Sequence, residues 1–177
     1  HRSSINALIV CGAVPVYVDP GLNTQLGIPL GMAVEDVQRA IDENPDAKAV
    51  IVNNPTYYGV CSNLREIVKI AHKAGMKVLV DEANGTHFYF GDYMHLAAMR
   101  VGADMSAVSM HKTGGSLTQS SLLLLGESMN AGYVRQIINL TQTTSGSYLL
   151  TSSLDISRRN LALNGKRIFE NVTMLAN

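Results

Sequence analysis

The chain has 177 residues, of which 46% are hydrophobic and 16% charged, a composition typical of one globular domain with a sizeable core. Fourteen Lys and Arg residues balance fourteen Asp and Glu residues, so no net charge attracts nucleic acid or an anionic membrane surface. No apolar run approaches the roughly twenty residues of a membrane-spanning helix, and the two isolated cysteines form neither a disulfide framework nor a metal-binding pattern. We therefore expect a cytoplasmic protein without a metal site and without nucleic-acid or membrane partners.

Apolar, β-branched runs alternate with amphipathic segments through most of the chain, which indicates strands that alternate with helices. Beyond a helix that begins just after His1, the predicted elements are a strand at 14–18, a helix at 33–43, a strand at 47–52, a helix at 62–74, a strand at 76–80, a short helix at 95–102 and a strand at 105–109. Strands joined by helices in this way form a parallel sheet that is covered by the helices.

The alternation stops after residue 109. Another apolar strand is predicted at 120–125, and the polar loop before it is too short for a helical crossover, so this strand should be antiparallel to its neighbour. Two helices, at 130–142 and 148–175, follow it. The predicted fold class is therefore α/β, a mostly parallel sheet with helices on both faces and one antiparallel strand.

Polar residues follow several of the predicted strands. Asn54, Asp81 and the segment 109–112 all lie at or just past the ends of separate strands. Because ligands of parallel sheets bind beyond the carboxyl ends of the strands, we expect these residues to meet in one crevice.

Lys112 is the residue in this crevice with the most specific chemistry. It is preceded by Ser109 and His111 and followed by the small polar loop 113–116, which leaves room for a bulky ligand beside the amine. An amine in such a place can form a Schiff base with an aldehyde cofactor. A lysine by itself is ordinarily a solvated surface charge, so this reading needs support from other residues.

Asp81 supplies that support. It ends an apolar strand, where a carboxylate needs a cationic partner, and a protonated pyridine nitrogen would be such a partner. The carboxylate would keep the nitrogen charged and the ring an electron sink. The alternative is that Asp81 only caps a helix or forms a turn. Ala83 is small enough for a flat ring to lie against it.

Four segments of the sequence carry a family resemblance. Residues 81–88 read Asp-Glu-Ala-Asn-Gly-Thr-His-Phe and residues 109–112 read Ser-Met-His-Lys. This pair resembles the motifs Asp-Glu-Ala-His-Gly-Ala-His-Phe and Ser-x-His-Lys of the ornithine/lysine/arginine decarboxylase family. Members of that family are pyridoxal-phosphate (PLP) enzymes with the aspartate aminotransferase fold, which is called fold type I. Residues 54–59 and 143–148 resemble the family's Asn-Pro-Thr-Tyr-x-Gly and Thr-Thr-Ser-Pro-Ser-Tyr segments.

The resemblance implies a set of cofactor contacts. Asp81 would match the partner of the pyridine nitrogen, and Lys112 would match the Schiff-base lysine. Ser109 and His111 would reach the cofactor phosphate. His1 would match the histidine that stacks on the ring, although a terminal histidine can also come from an expression tag.

Other residues near these motifs have less specific assignments. His87 could transfer a proton or be a structural histidine. Thr56 and Tyr57 could contact substrate, although such residues more often serve turns and packing. Glu82 is a candidate acid for the distal cation of a basic substrate.

The resemblance also places the chain within a larger protein. It implies that residues 1–177 are part of the PLP-binding large domain, with the phosphate-binding loop before residue 1 and a small C-terminal domain after residue 177. We therefore expect this segment alone to bind PLP weakly and to have little activity. Asn84 and Gly146 depart from the family's usual His and Pro, which puts the substrate in doubt more than the cofactor.

The function that the resemblance implies is PLP-dependent decarboxylation of lysine, arginine or ornithine to an amine and CO₂, a lyase reaction of amino-acid metabolism and polyamine biosynthesis. The alternatives are another fold-type-I activity, such as an aminotransferase or aldolase, or a non-catalytic fragment or homologue. Residues 144–147 resemble a segment that reaches the phosphate of a neighbouring subunit. A homodimer or a larger homo-oligomer is therefore expected.

Overall fold

The computed structural model describes residues 2–92 and 94–176, and His1 lies outside these ranges. The helices are α1 (Arg2–Cys11), α2 (Val34–Glu43), α3 (Leu64–Lys73), α4 (Met110–Thr113), α5 (Ala131–Thr141) and α6 (Tyr148–Ala176). The strands are β1 (Leu22–Asn23), β2 (Ile28–Pro29), β3 (Ala49–Asn53), β4 (Lys77–Asp81), β5 (Met105–Ser109) and β6 (Ser121–Leu125). Two short 3-10 helices span Thr86–Tyr89 and Met94–Leu96.

The main sheet has four strands in the order β3-β4-β5-β6. The β3–β4 and β4–β5 pairs are parallel and the β5–β6 pair is antiparallel. The predicted α/β class, with a mostly parallel sheet, flanking helices and one antiparallel strand, is confirmed. β1 and β2 form a separate antiparallel pair that the sequence did not predict.

α3 shows how local sequence sets the helix limits. The Asn63 side chain accepts a hydrogen bond from the Glu66 amide at the start of the helix, and Gly75 adopts a φ of +76° just after its end. The helix buries one stripe of side chains, which are Leu64, Ile67, Val68 and Ala71. This spacing of three and four residues directs the stripe towards the sheet.

The hydrophobic core lies between one face of the sheet and helices α2 and α3. Its buried members are Val37, Ile41, Val52, Leu64, Ile67, Val68, Ala71, Met76, Val78, Val80, Ala98 and Ala103. Full burial of one aliphatic side chain of this kind stabilises a protein by about 1.5–3 kcal/mol. The core therefore fixes β3 and β4, and with them the ends of the strands that lead to the site.

The other face of the sheet is more open. Successive strand residues point to opposite faces, so Ile51, Leu123 and Ala107 lie on the side away from the core, and all three are exposed. The register pairs Asp81 with Ala107, two residues before Ser109. Asp81 and Ser109 therefore project on this open side, at the carboxyl edge of the parallel strands.

The predicted strand at 14–18 is wrong. These residues have no strand partner among the described residues, and Val14 and Tyr17 are 93% and 70% exposed. A strand needs a neighbour to satisfy its backbone groups, and Pro15 removes one donor from this run.

The predicted helix at 95–102 is replaced by the short 3-10 helix and a series of turns. The Ala98 amide donates to the Glu82 carboxylate at 2.9 Å instead of to a helical carbonyl. A buried carboxylate from elsewhere in the chain thus competes with the local helix for a backbone donor.

α6 is the longest helix, with 29 residues. In the ranges 2–92 and 94–176, no helix is both long enough and apolar enough to cross a membrane. The same ranges contain no group of three or more His, Cys, Asp or Glu residues that could hold a metal ion.

Asp104 joins α3 to the beginnings of β4 and β5 and is only 2% exposed. Its carboxylate accepts hydrogen bonds from His72 Nε2 at 2.8 Å, Lys77 Nζ at 2.9 Å, the Val78 amide at 2.8 Å and Ser128 Oγ. Burial alone would raise the pKa of Asp104, but these donors outweigh it and hold the pKa well below its usual range.

We expect Asp104→Asn to lower the free energy of unfolding by about 2–3 kcal/mol at neutral pH, since hydrogen bonds to a charged group are lost. Because the folded-state pKa of Asp104 is depressed, its stabilisation is complete above the ordinary value of 3.8 and declines as the pH falls below it. Urea unfolding of the full-length protein across this pH range measures the difference. Asp155→Asn, at an exposed position on α6, is the control and should change stability by less than about 0.5 kcal/mol. Equal effects of the two substitutions would contradict this account of Asp104.

Candidate active site

Asp81 ends β4 and is held by its backbone and side chain together. Its carbonyl accepts hydrogen bonds from the Asn54 amide and from Asn53 Nδ2, both at 3.0 Å. Its Oδ1 accepts from the Ala83 amide at 3.2 Å. The carboxylate is half-buried and makes no ion pair with any residue in the described ranges. It is therefore a fixed anion that can accept a cationic partner.

Lys112 lies in the single helical turn that follows β5. β5 ends at Ser109, which precedes α4 and makes no side-chain capping hydrogen bond there. Lys112 is exposed, and its ammonium group has no hydrogen-bond or ion-pair partner in the described part of the chain. Asp81 and Ser109 lie on one face and at one edge of the sheet, and Lys112 follows Ser109 within one helical turn. The Asn54 side chain is buried and accepts a hydrogen bond from the Ser62 amide at 2.8 Å, so it is directed into the protein. A single crevice formed by these strand ends stays a prediction.

His111 is fixed by Ser120, the residue directly before β6. Its Nδ1 lies 3.0 Å from the Ser120 carbonyl oxygen, and its backbone amide donates to the same oxygen at 3.3 Å. A carbonyl can only accept, so Nδ1 carries the proton in this contact. Nε2 is therefore the ring nitrogen that remains for a ligand.

Thr86 connects the loop after β4 to the turn that contains Lys112. Its side chain is fully buried, and its hydroxyl donates to the Ser109 carbonyl at 3.1 Å. The sequence reasoning missed this residue. The sequence did contain a signal for Thr86, since the family motif has alanine at this position. An alanine has no hydroxyl and could not donate a hydrogen bond to the Ser109 carbonyl.

Glu82 faces away from Asp81, into the protein. It has no solvent exposure and accepts hydrogen bonds from Tyr89 Oη at 2.6 Å, Ser106 Oγ at 2.7 Å and the Ala98 amide at 2.9 Å. Burial raises the pKa of Glu82, although these donors act in the opposite direction. Burial, and then the charge of Glu82, raise the pKa of Tyr89 as well.

These contacts correct the assignment of Glu82 as a substrate-binding acid. Successive residues in a strand project to opposite faces, so the outward position of Asp81 directs Glu82 inward. All the contacts of its carboxylate are internal. Glu82 is thus a structural residue that fixes the end of β4.

The other candidate residues occupy different surroundings. Thr56 is 8% exposed, and its hydroxyl accepts from the Val60 amide at 3.1 Å, which closes a turn, whereas Tyr57 is 81% exposed. His87 is half-buried, its ring lies 4.4 Å from that of Phe88, and burial lowers its pKa. Thr56 serves the turn; substrate contact by Tyr57 and proton transfer by His87 stay predictions. The ring contact of His1 falls outside the described residues.

Comparison with solved structures gives the class of fold. The Escherichia coli constitutive lysine decarboxylase matches with a TM-score of 0.80 and 23% identity, over 97% of this chain and 26% of that one. The SepCysS–SepCysE N-terminal domain complex matches with a TM-score of 0.70 and 17% identity, over 96% and 47%. SPT solved with PLP matches with a TM-score of 0.58 and 26% identity, over 73% and 34%. The chain has the fold of fold-type-I PLP-dependent enzymes.

Sequence comparison then gives the family. The family described as Orn/Lys/Arg decarboxylase, major domain, matches residues 1–177. Arginine decarboxylase of Bacillus subtilis is 46% identical over 178 residues, which cover 100% of this chain and 36% of that protein. The biodegradative arginine decarboxylase of Escherichia coli is 30% identical over 89% of this chain and 24% of its own length. This chain belongs to the Orn/Lys/Arg decarboxylase family and spans about a third of the length of the curated relatives that it matches at 45–46% identity.

We expect Glu82→Gln to remove part of the pH dependence of stability. Because the folded-state pKa of Glu82 is raised, the wild-type protein loses stability as the pH rises from the ordinary value of 4.5 through the folded-state pKa. The Gln side chain does not ionise, so the mutant should gain stability relative to wild type over this interval. Urea unfolding at a series of pH values tests this, with the exposed Glu127→Gln as control. Parallel pH profiles for wild type and Glu82→Gln would refute the assignment.

Proposed function

We propose that the full-length protein is a PLP-dependent decarboxylase of basic amino acids, with arginine as the first substrate to test. One observation carries the proposal: Asp81 and the turn of Lys112 lie at the same edge of a sheet, in a chain that belongs to this decarboxylase family. The relatives at 45–46% identity are named arginine decarboxylases, and more distant relatives include a lysine decarboxylase at 27%.

The residues at this edge fit PLP by their chemistry. Asp81 is a half-buried carboxylate without a cationic partner among the described residues, which suits a protonated pyridine nitrogen. Lys112 is an exposed amine that can attach to the aldehyde carbon. Ala83 follows Asp81 closely and offers a small apolar side chain to a flat ring. When bound, PLP supplies an electron sink for the pair of electrons left when the bond from Cα to the carboxylate breaks.

Each residue then has a defined task. Asp81 would keep a proton on the pyridine nitrogen of PLP through its carboxylate. Lys112 would hold PLP by its aldehyde carbon. Ser109 and His111 would bind the phosphate. Because His111 Nδ1 donates to the Ser120 carbonyl, the contact with the phosphate would need a second N–H, at Nε2. Lys112 and His111 are also the two candidates for returning a proton to Cα.

The proposal also includes the oligomeric state of the protein and its location in the cell. The residues at 144–147 are exposed, as a segment that reaches a neighbouring subunit would be in a single chain. We propose a homodimer or larger homo-oligomer, acting in the cytoplasm on a small-molecule substrate. Residues 1–177 by themselves should have little activity, since they correspond to only 36% of the length of a relative such as the Bacillus subtilis arginine decarboxylase.

Borohydride reduction of the full-length protein with PLP should attach the cofactor mass to Lys112, as peptide mass mapping would detect. Lys112→Arg keeps the positive charge but cannot form the bond, so this variant should lose the visible absorbance band and the activity. Lys166→Arg, at a 72% exposed position on α6, is the matched control and should retain both. Attachment of the cofactor to a lysine other than Lys112 would overturn the assignment.

Asp81→Asn should lower kcat for arginine by about 10²–10³-fold, the usual effect of removing one electrostatic group from an active site. The amide has the shape of the carboxylate but cannot keep the pyridine nitrogen protonated. The exposed Asp46→Asn is the control and should have wild-type kinetics. A wild-type kcat in Asp81→Asn would refute the role of Asp81.

Product analysis separates the proposal from its alternatives. Decarboxylation of arginine releases CO₂ and the corresponding amine, whereas an aminotransferase would produce an oxo acid from the same substrate. A wild-type protein that stays colourless with added PLP would favour a non-catalytic homologue.

A further inference from the structure

We propose that helix α6 holds the loop 114–119 in place through hydrogen bonds, a set of contacts that we call the clasp, and that Ser153 and Ser157 are positioning residues for Lys112. The clasp itself is a set of contacts within the chain. Its consequence for Lys112 rests on the proposed function.

Two hydrogen bonds join α6 to this loop. The Ser157 hydroxyl donates to the carbonyl oxygen of Gly114, and Ser157 is only 7% exposed. The Leu117 amide donates to Ser153 Oγ at 2.8 Å. Residues four apart on a helix lie on one face, so the two serines form one surface that meets the loop at two points.

The loop has a conformation that these contacts can recognise. A Cβ atom on Gly114 would lie 2.7 Å from the Met110 carbonyl oxygen, so no larger residue fits there without a shift. Gly115 has a φ of +86°, which favours glycine. A Cβ atom on Gly115 would lie 4.0 Å from Ser157 Oγ, so the serine stands directly beside this turn.

The clasp affects Lys112 because α4 is too short to be stable without contacts to other parts of the chain. It has four residues, Met110–Thr113, and an isolated helix of this length is unstable in water. The orientation of Lys112 therefore depends on what holds the two ends of the turn. Thr86 holds the Ser109 carbonyl before the helix, and Ser157 holds the Gly114 carbonyl after it.

α6 also reaches the loop that follows Asp81. A Cβ atom on Gly165 would lie 2.7 Å from Phe90 Cβ, and the Phe169 ring is 6.0 Å from the His87 ring. The same rigid helix thus contacts both the loop after β4 and the loop after Lys112. It can keep the distance between the two halves of the site constant.

The variants isolate the two hydroxyl groups. Ser153→Ala and Ser157→Ala each remove one contact with the loop. Ser152→Ala is the matched control, because Ser152 is the exposed neighbour of Ser153 and makes no hydrogen bond to the loop within the described residues. Ser153→Thr keeps the hydroxyl and should restore the wild-type behaviour. Ser153 is only half-buried, so its variants test the proposal even if Ser157→Ala fails to fold.

The first measurement is hydrogen–deuterium exchange on the full-length protein without added PLP. Loss of one hydrogen bond should make the peptide 113–120 exchange roughly fivefold faster in Ser153→Ala. The same peptide should exchange faster in Ser157→Ala, while peptides from 161–176 stay unchanged in both. Unchanged exchange of 113–120 in both alanine variants overturns the clasp, whatever the protein's function.

The second measurement is the pH titration of the visible absorbance band with PLP added. The midpoint should move in Ser153→Ala and Ser157→Ala, and it should stay at the wild-type value in Ser152→Ala and Ser153→Thr. If hydrogen–deuterium exchange of 113–120 is faster but the pH midpoint of the absorbance band does not move, Ser153 and Ser157 do not position Lys112. A wild-type protein without a visible band overturns the proposed function, and the exchange data then still decide whether the clasp exists.

Discussion

Glu82 is a carboxylate without solvent exposure, and its two oxygens accept hydrogen bonds from three separate parts of the chain. A buried carboxylate is tolerated only when donors surround it, so Tyr89, Ala98 and Ser106 have to be in place for the domain to be stable. Asp81, the last residue of β4, lies on the open face of the sheet, and the side chain of Glu82 directly after it lies inside the protein. The buried contacts of Glu82 thus fix the chain directly after the candidate catalytic carboxylate.

The turn that contains Lys112 is held in a similar way by residues distant in sequence. The Thr86 hydroxyl donates a hydrogen bond to the Ser109 carbonyl at the start of the turn, and the Ser157 hydroxyl donates one to the Gly114 carbonyl at its end. The Ser120 carbonyl holds His111 from a third direction. Lys112 thus has an exposed side chain on a turn that hydrogen bonds hold in place. The proposed Schiff-base role would need both, because a fixed backbone lowers the entropy lost when the amine meets its target.

The fold by itself leaves the reaction open. Solved structures with this fold include a lysine decarboxylase, a SepCysS–SepCysE complex and SPT. The fold therefore does not determine which bond of a substrate is cleaved. The chain belongs to the Orn/Lys/Arg decarboxylase family, and the proposed reaction rests on that membership. The burial of Glu82 removes one candidate for contact with the distal end of a basic substrate.

The sequence by itself determined the four strands of the main sheet, the helices α2, α3, α5 and α6, the antiparallel last strand, and the two motifs that begin at Asp81 and end at Lys112. These follow from local periodicity, turn residues and loop length, which act over a few neighbouring residues. The tertiary structure alone decided what depends on distant partners. The run at 14–18 forms no strand because no neighbour pairs with it, and 95–102 forms no α-helix because Glu82 takes the Ala98 amide. Thr86 and Ser157 became part of the site only when folding placed their hydroxyls against the turn of Lys112.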